Sequence, residues 1–302
     1  MLHSESPVDK PLAVAFNVLG FTLLFSIMTT FIKLGATQGL PVDEMMFWRF
    51  AFGLLPVLLY IGPKGVKREI RHKEWVPLTT RAFMGMIAMW CTFQSFAMLP
   101  VAEATTLQFT STFILTLLAI PVLKEKVGIY RGSAILMGFI GVLLVLRPDM
   151  GGDHAGQFIA LCAAVIMAMN MLLVRTLQNR VTAQALTLYF HLLGTVVMLP
   201  FVIIGWQTPS FTGWLYMAGA GFSAGMAQIL LNRSYLTAPA AFVSSFSYIQ
   251  IVFVTLAGWL VFGDVPTHSF LLGAGIIVAG GVVIAVREAL LRRKIQVIEE
   301  PL

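Results

Sequence analysis

The residues of this chain that could do chemistry are polar side chains stranded in long apolar runs, and their types suit recognition better than bond breaking. Arg49 lies five residues into the apolar stretch 44–62. A guanidinium within lipid costs about 2.5–3.5 kcal/mol on insertion scales, so its presence needs a reason. It could bind an anionic or carbonyl-bearing substrate; the alternatives are a reach to the headgroups or a pair with Glu103. Trp90 and Gln94 are four apart and so share a helical face, as do Gln228 and Asn232 in the equivalent stretch of the second half. An indole with amides on two facing walls suits a planar, hydrogen-bonding substrate. Gln108 shares a face with Thr105. Tyr248 and Gln250 follow Ser244, Ser245 and Ser247, serines that can bond back onto their own helical turn. Asn170 and His191 complete the candidate set. His191 reads as a packed core histidine or, if functional, as the member whose ordinary pKa suits a proton switch. Arg81, near the end of its apolar stretch, reads as an anchor that snorkels.

Catalytic and cofactor chemistry find little support in the same residues. Gly221, Phe222, Ser223, Ala224 and Gly225 match G-x-S-x-G, and His191 stands one apolar stretch away, which raises an intramembrane serine hydrolase as a remote alternative. That motif acts from a strained strand-to-helix turn. Here it lies within an apolar helix, where its two glycines serve close packing. No G-x-x-x-x-G-K-[ST] loop occurs, so ATP hydrolysis through that loop is excluded. Cys91 and Cys162 have neither zinc nor redox spacing, and no metal or cofactor is expected. No carboxylate is read deep in an apolar run, since Glu103, Glu125 and Asp264 flank helix ends. Proton coupling, exchange and facilitated diffusion therefore all stay open, as do import and export.

The elements that must position these groups follow from composition. The 302 residues are 58% hydrophobic and 11% charged, against roughly 25% charged in a soluble domain. Most of the chain must lie in a lipid bilayer. A net charge of +6 raises the question of nucleic acid, but the basic residues sit beside apolar segments, where they orient a membrane protein, and no nucleic-acid partner is expected. Ten stretches reach the roughly 20 residues a membrane helix needs: 11–32, 44–62, 75–98, 101–121, 128–147, 157–176, 182–205, 212–234, 239–261 and 269–287. Backbone amides must be paired inside lipid, so the spans are helices and the fold class is all-α. The run Leu12–Ile32 is too long for a signal-peptide core and reads as the first span. Leu99-Pro100 and Ala238-Pro239 mark tight hairpins in which proline opens the next helix. Gly128, Gly132, Gly273, Gly280 and Gly281 permit close helix contact, within one chain or between the copies of a homodimer.

With the N-terminus in the cytoplasm, sixteen Lys and Arg fall on the cytoplasmic side against Lys33 and Arg147 on the other, with Arg49 and Arg81 within spans. That asymmetry places both termini in the cytoplasm. The chain also repeats itself at an offset of 139 residues: Trp75 with Trp214, Ser95 with Ser234, Pro100 with Pro239, Glu125 with Asp264, Gly141 with Gly280. The halves, 1–150 and 151–302, hold five spans each, and an odd number inverts the second relative to the first. Lys33 and Arg175 then close equivalent helices on opposite faces. Inverted repeats are the mark of secondary transporters, which work by alternating access around a site at the repeat interface.

The chain resembles the EamA family of the drug/metabolite transporter superfamily. The resemblance rests on Leu99, Pro100, Val101, Ala102, Glu103, Ala104, Thr105 and Thr106 running on to Leu123, Lys124 and Glu125, then Gly132, Gly138, Gly141, Arg147 and Pro148. A second copy runs from Ala238, Pro239, Ala240, Ala241 and Phe242 to Phe262, Gly263 and Asp264, then Gly273 and Gly280, with Asp264 where the family usually has Glu. The likeness extends from about Ala13 to Val286. It implies ten helices in two inverted repeats and a non-ATP carrier of a small organic metabolite in the bacterial inner membrane. Members resembling this chain move amino acids, nucleoside-type metabolites, S-adenosylmethionine, riboflavin or metal-chelating metabolites. Among these, the chain looks somewhat like the bacterial riboflavin transporters of the family.

Overall fold

The computed structural model describes residues 11–123, 129–146, 153–177, 180–237 and 248–299, and among them it holds helices and no strand. The first half consists of α1 (Pro11–Thr37), α2 (Val42–Ile70), α3 (Trp75–Met98), α4 (Val101–Gln108), α5 (Ser111–Leu123) and α6 (Ile129–Leu146). The second consists of α7 (His154–Thr176), α8 (Ala183–Gly205), α9 (Phe211–Thr237), α10 (Ile249–Ala257) with a π-helical turn Gly258–Phe262, and α11 (His268–Glu299). Five of these are long and apolar enough to cross a membrane, namely Phe16–Thr37, Val42–Ile70, His154–Val174, Ala183–Gly205 and Phe211–Leu231. Shorter apolar helices Leu136–Val145, Ile249–Phe262 and His268–Val283 accompany them. The architecture is the expected all-α, ten-helix, two-repeat fold.

Three spans differ in detail from their sequence reading. The fourth is two helices, because Phe109 and Thr110 turn tightly between α4 and α5. Thr110 donates its hydroxyl to the Leu107 carbonyl at 2.7 Å and its amide to the same group at 3.1 Å, so local bonds compete with the helical ladder there. The second span does not stop at residue 62 but bends. Gly62 takes φ 70°, which glycine reaches at little cost, and Pro63 restarts the helix to Ile70. The last helix continues past the apolar run to Glu299. Glu125, Arg147, Ser244, Ser245 and Ser247 lie outside the described residues, as do the side chains of Arg175 and Asn232.

The second half runs against the first. Gln38, just past the end of α1, donates to Thr212 at the start of α9 at 3.2 Å, and Lys33 donates to the Leu99 carbonyl at the end of α3 at 2.7 Å. Gln157, at the start of α7, donates to Glu103 at the start of α4 at 2.8 Å. So α1 finishes at the end of the bundle where its homologue α7 begins. At the other end the close of α2 meets the start of α8, where Thr182 caps α8 through Ala185 N–H at 3.0 Å and donates to Glu69 at 2.7 Å. Packing obeys the same two-fold relation. Helix α1 lies on α9 as α7 lies on α3, while α2 with α8, α6 with α11 and α4 with α10 are pairs of equivalents.

Small residues let these pairs approach to backbone contact, as helices in lipid require when apolar burial gives no drive. A Cβ placed on Gly141 of α6 would sit 2.8 Å from the Gly273 carbonyl oxygen of α11. Gly275, two residues on, faces open space. Gly141→Ala should therefore destabilise the chain by roughly 1–3 kcal/mol through overpacking. Gly275→Ala should be neutral or stabilising by up to about 1 kcal/mol, from helix propensity. Thermal unfolding of the two variants in detergent measures the difference, and equal responses would contradict the contact.

Candidate substrate site

The polar groups that converge come from four helices around one aromatic ring. Arg49 on α2 is 2% exposed, and its Nε and Nη1 have no hydrogen-bond partner. Its Cζ stands 4.8 Å from the centroid of Phe50 and 5.3 Å from that of Phe190 on α8. Arg81 on α3 reaches the same ring, with Cζ 5.0 Å from the Phe190 centroid, and donates Nη1 to the Leu186 carbonyl at 3.3 Å. Its Nε is buried without a partner. Two guanidiniums thus share one phenyl ring, an arrangement that offsets part of each desolvation penalty by cation–π attraction.

His191 follows Phe190 and is fully buried. Its Nδ1 lies 3.0 Å from the Thr187 carbonyl. A carbonyl only accepts, so Nδ1 carries the hydrogen and the neutral ring leaves Nε2 as an acceptor. Nε2 has no partner and abuts Gly53 on α2, where a Cβ would meet it at 3.0 Å. Asn170 on α7 is 5% exposed, with Oδ1 unpartnered. Its amide nitrogen would lie 3.1 Å from a Cβ on Gly85, and Cε2 of Phe190 would lie 2.8 Å from the same atom. Gly85, on the helix that carries Arg81, is the space into which the ring and the amide fit. Gly194 does the same for the Phe50 ring, 2.6 Å from its would-be Cβ.

The electrostatics of the group are one-sided. Among the described residues the ion pair is Arg68–Glu69, at the far end of α2. Neither alternative reading of Arg49 is realised. It is too buried to snorkel, and Glu103 accepts from Gln157 instead. Arg81, read from the sequence as an anchor, belongs with Arg49. Buried polar atoms are nearly always paired in folded proteins, so the unpaired Nε and Nη1 of Arg49, Nε of Arg81, Nε2 of His191 and Oδ1 of Asn170 make this cluster the candidate site. A carboxylate, a phosphate or a carbonyl-rich ring edge has the matching chemistry.

The remaining candidates fall elsewhere. Gln108 and Gln250 flank the crossing of α4 and α10, where Phe109 and its repeat mate Tyr248 pack with centroids 5.0 Å apart. Gln250 is buried, and the Gln108 amide nitrogen is buried without a partner. Tyr248 occupies the space above Gly281. Trp90 is 40% exposed and donates Nε1 to Asp43 at 3.1 Å. Gln94 and Gln228 are half-buried on α3 and α9. Sequence reasoning missed Phe50, Phe190 and Glu44. Glu44, in the first turn of α2, is buried, and its place five residues before Arg49 is the available signal. Ser223 donates back to the Gly219 and Ala220 carbonyls while Gly221 and Gly225 press on α2 at Trp48 and Gly53, so the G-x-S-x-G run is helix packing.

Inverted halves enclosing unpaired polar groups define a membrane transporter, and the chain matches no enzyme pattern at those groups. It belongs to the EamA-like transporter family, whose model matches residues 12–147 and again 154–286. It is 31% identical over 271 residues to a riboflavin transporter of Vibrio cholerae, covering 89% of this chain and 91% of that one. It is 28% identical over 265 residues to a pseudopaline exporter of Pseudomonas aeruginosa, covering 87% and 89%. A solved crystal structure shares the fold with a TM-score of 0.68 at 19% identity, covering 93% of this chain and 98% of its own.

Because Arg49 is a buried charge without a partner, it burdens the ligand-free protein. Arg49→Met should leave the unfolding temperature in detergent unchanged or raise it. Uptake should fall at least about tenfold, the worth of one charge-assisted hydrogen bond of ~1.5–3 kcal/mol. A fall of several degrees with proportionate loss of uptake would make Arg49 a structural residue instead.

Proposed function

We propose that this protein moves a small organic metabolite across the bacterial inner membrane by alternating access, with riboflavin as the substrate. The observation that carries the reading is the pair Arg49 and Arg81 on the Phe190 ring, each with an N–H that lacks a partner, together with the unpartnered His191 Nε2 and Asn170 Oδ1. Riboflavin offers a flat fused ring with a carbonyl-bearing edge and a hydroxylated chain. Such an edge can accept from guanidinium N–H groups while the ring lies against aromatic side chains. The similarity to a riboflavin transporter supports the same choice. In this reading 1–150 and 151–302 are the two units that rock about the site, both termini face the cytoplasm, and Gln108, Tyr248 and Gln250 line the path beside the break between α4 and α5. Trp90, Gln94 and Gln228 contribute hydrogen bonds along its walls.

A second reading is favoured by the absence of a carboxylate partner for either arginine among the described residues. It makes the substrate a carboxylate-bearing metabolite, of amino-acid or S-adenosylmethionine type, moved outward or by exchange.

Flux into proteoliposomes, with a metabolite panel that includes riboflavin and with or without an imposed proton gradient, separates the two. Riboflavin should move, and Trp90→Ala and Gln228→Leu should raise its half-saturating concentration several-fold. Movement of amino acids or S-adenosylmethionine without riboflavin would select the second reading. Unchanged kinetics in both variants would remove Trp90 and Gln228 from the path.

A further inference from the structure

The bend in α2 builds a feature that transport does not use. Beyond Gly62 the helix restarts at Pro63 and runs to Ile70, so the two segments form a crook on the outside of the bundle. Among the described residues the short segment is pinned on one side. Arg68 donates to Gln184 at 3.1 Å, Glu69 accepts from Thr182 at 2.7 Å, and the Ile70 carbonyl accepts from Tyr189 at 2.9 Å, all against α8. Its other face, Pro63, Val66, Lys67, Ile70 and Arg71, follows the three-and-four spacing of one helical stripe and turns back toward Leu58 and Leu59. Together these enclose an open groove of about 580 Å³. Five of its seven lining residues are apolar and two are cations, grouped at the end away from the membrane-spanning segment. Leu59, 81% exposed, stands at the apolar mouth. The segment's ion pair uses Arg68, not Lys67 or Arg71. Trp75, exposed at the start of the next helix, marks the same level as the membrane interface.

We propose that this crook is a binding site for one anionic phospholipid, its phosphate between Lys67 and Arg71 and an acyl chain along Leu58, Leu59, Pro63, Val66 and Ile70. Charge complementarity selects the ligand. Two cations four residues apart on one face suit a headgroup of net negative charge, and a zwitterionic headgroup would bring its own cation beside them. A soluble phosphate would leave the apolar wall bare. The site stands on the outside of α2, opposite the helix face that packs on α8, so a seated lipid would brace the bend without entering the substrate path.

The test is native mass spectrometry of the full chain in detergent with phosphatidylglycerol or phosphatidylcholine of the same acyl chains. The protein should retain phosphatidylglycerol preferentially. Lys67→Gln with Arg71→Gln should weaken that binding about thirtyfold, each cation near a membrane surface being worth about a factor of five. Lys73→Gln with Arg180→Gln, neither of them in the groove lining, should leave it unchanged, and glycerol 3-phosphate should not compete. Leu59→Ser, at an exposed position that folding tolerates, should weaken both lipids alike. Equal retention of the two lipids by the wild type, full binding by the Lys67/Arg71 variant, an equal loss in the Lys73/Arg180 variant, or displacement by glycerol 3-phosphate would each overturn the site.

Discussion

A charge held in a low-dielectric interior without its opposite is the condition around which this molecule is arranged. Arg49 is almost wholly buried, Arg81 reaches the same ring, and no carboxylate among the described residues answers either. The protein moderates the cost with what is nearby: the faces of Phe50 and Phe190, and the Leu186 carbonyl. These are partial measures, since a quadrupole and a single carbonyl do not neutralise two cations.

The scaffold is symmetric and the chemistry is not. Homologous helices pack in two-fold pairs, with α2 against α8 on the pseudo-axis. Yet the 139-residue offset carries Arg49 onto Leu188, Arg81 onto Ala220 and His191 back onto Phe52. The repeat provides a frame of equivalent helices, while side chains break the symmetry to give a polar cluster with no counterpart in the other half. Gly53, Gly85 and Gly194 are where frame and cluster meet, each leaving the volume that an aromatic ring or imidazole takes.

What could be read in the chain follows from how far each signal reaches. Span positions and the inversion were legible because they are written in runs of twenty residues and in charge between them, and membrane physics permits few alternatives. Arg49, Asn170 and His191 stood out because a polar side chain in an apolar run is conspicuous wherever it points. Arg81 reads as an anchor because its position along the helix suggests an interface, while its length carries the guanidinium back to Phe190. Phe190 itself was invisible, one phenylalanine among 23. The bend at Gly62-Pro63 was announced by its dipeptide, yet the apolar run ended there too, and the simpler signal won.

The central claim is that Arg49 and Arg81 hold the same group of the substrate. A double-mutant cycle on equilibrium binding, read from riboflavin fluorescence with Arg49→Gln, Arg81→Gln and the combined variant, measures that sharing directly. Each single change should remove most of the affinity, and the pair should lose little more than the worse single, a coupling of at least about 1 kcal/mol. Losses that simply add, or singles that bind as the wild type does, would contradict it.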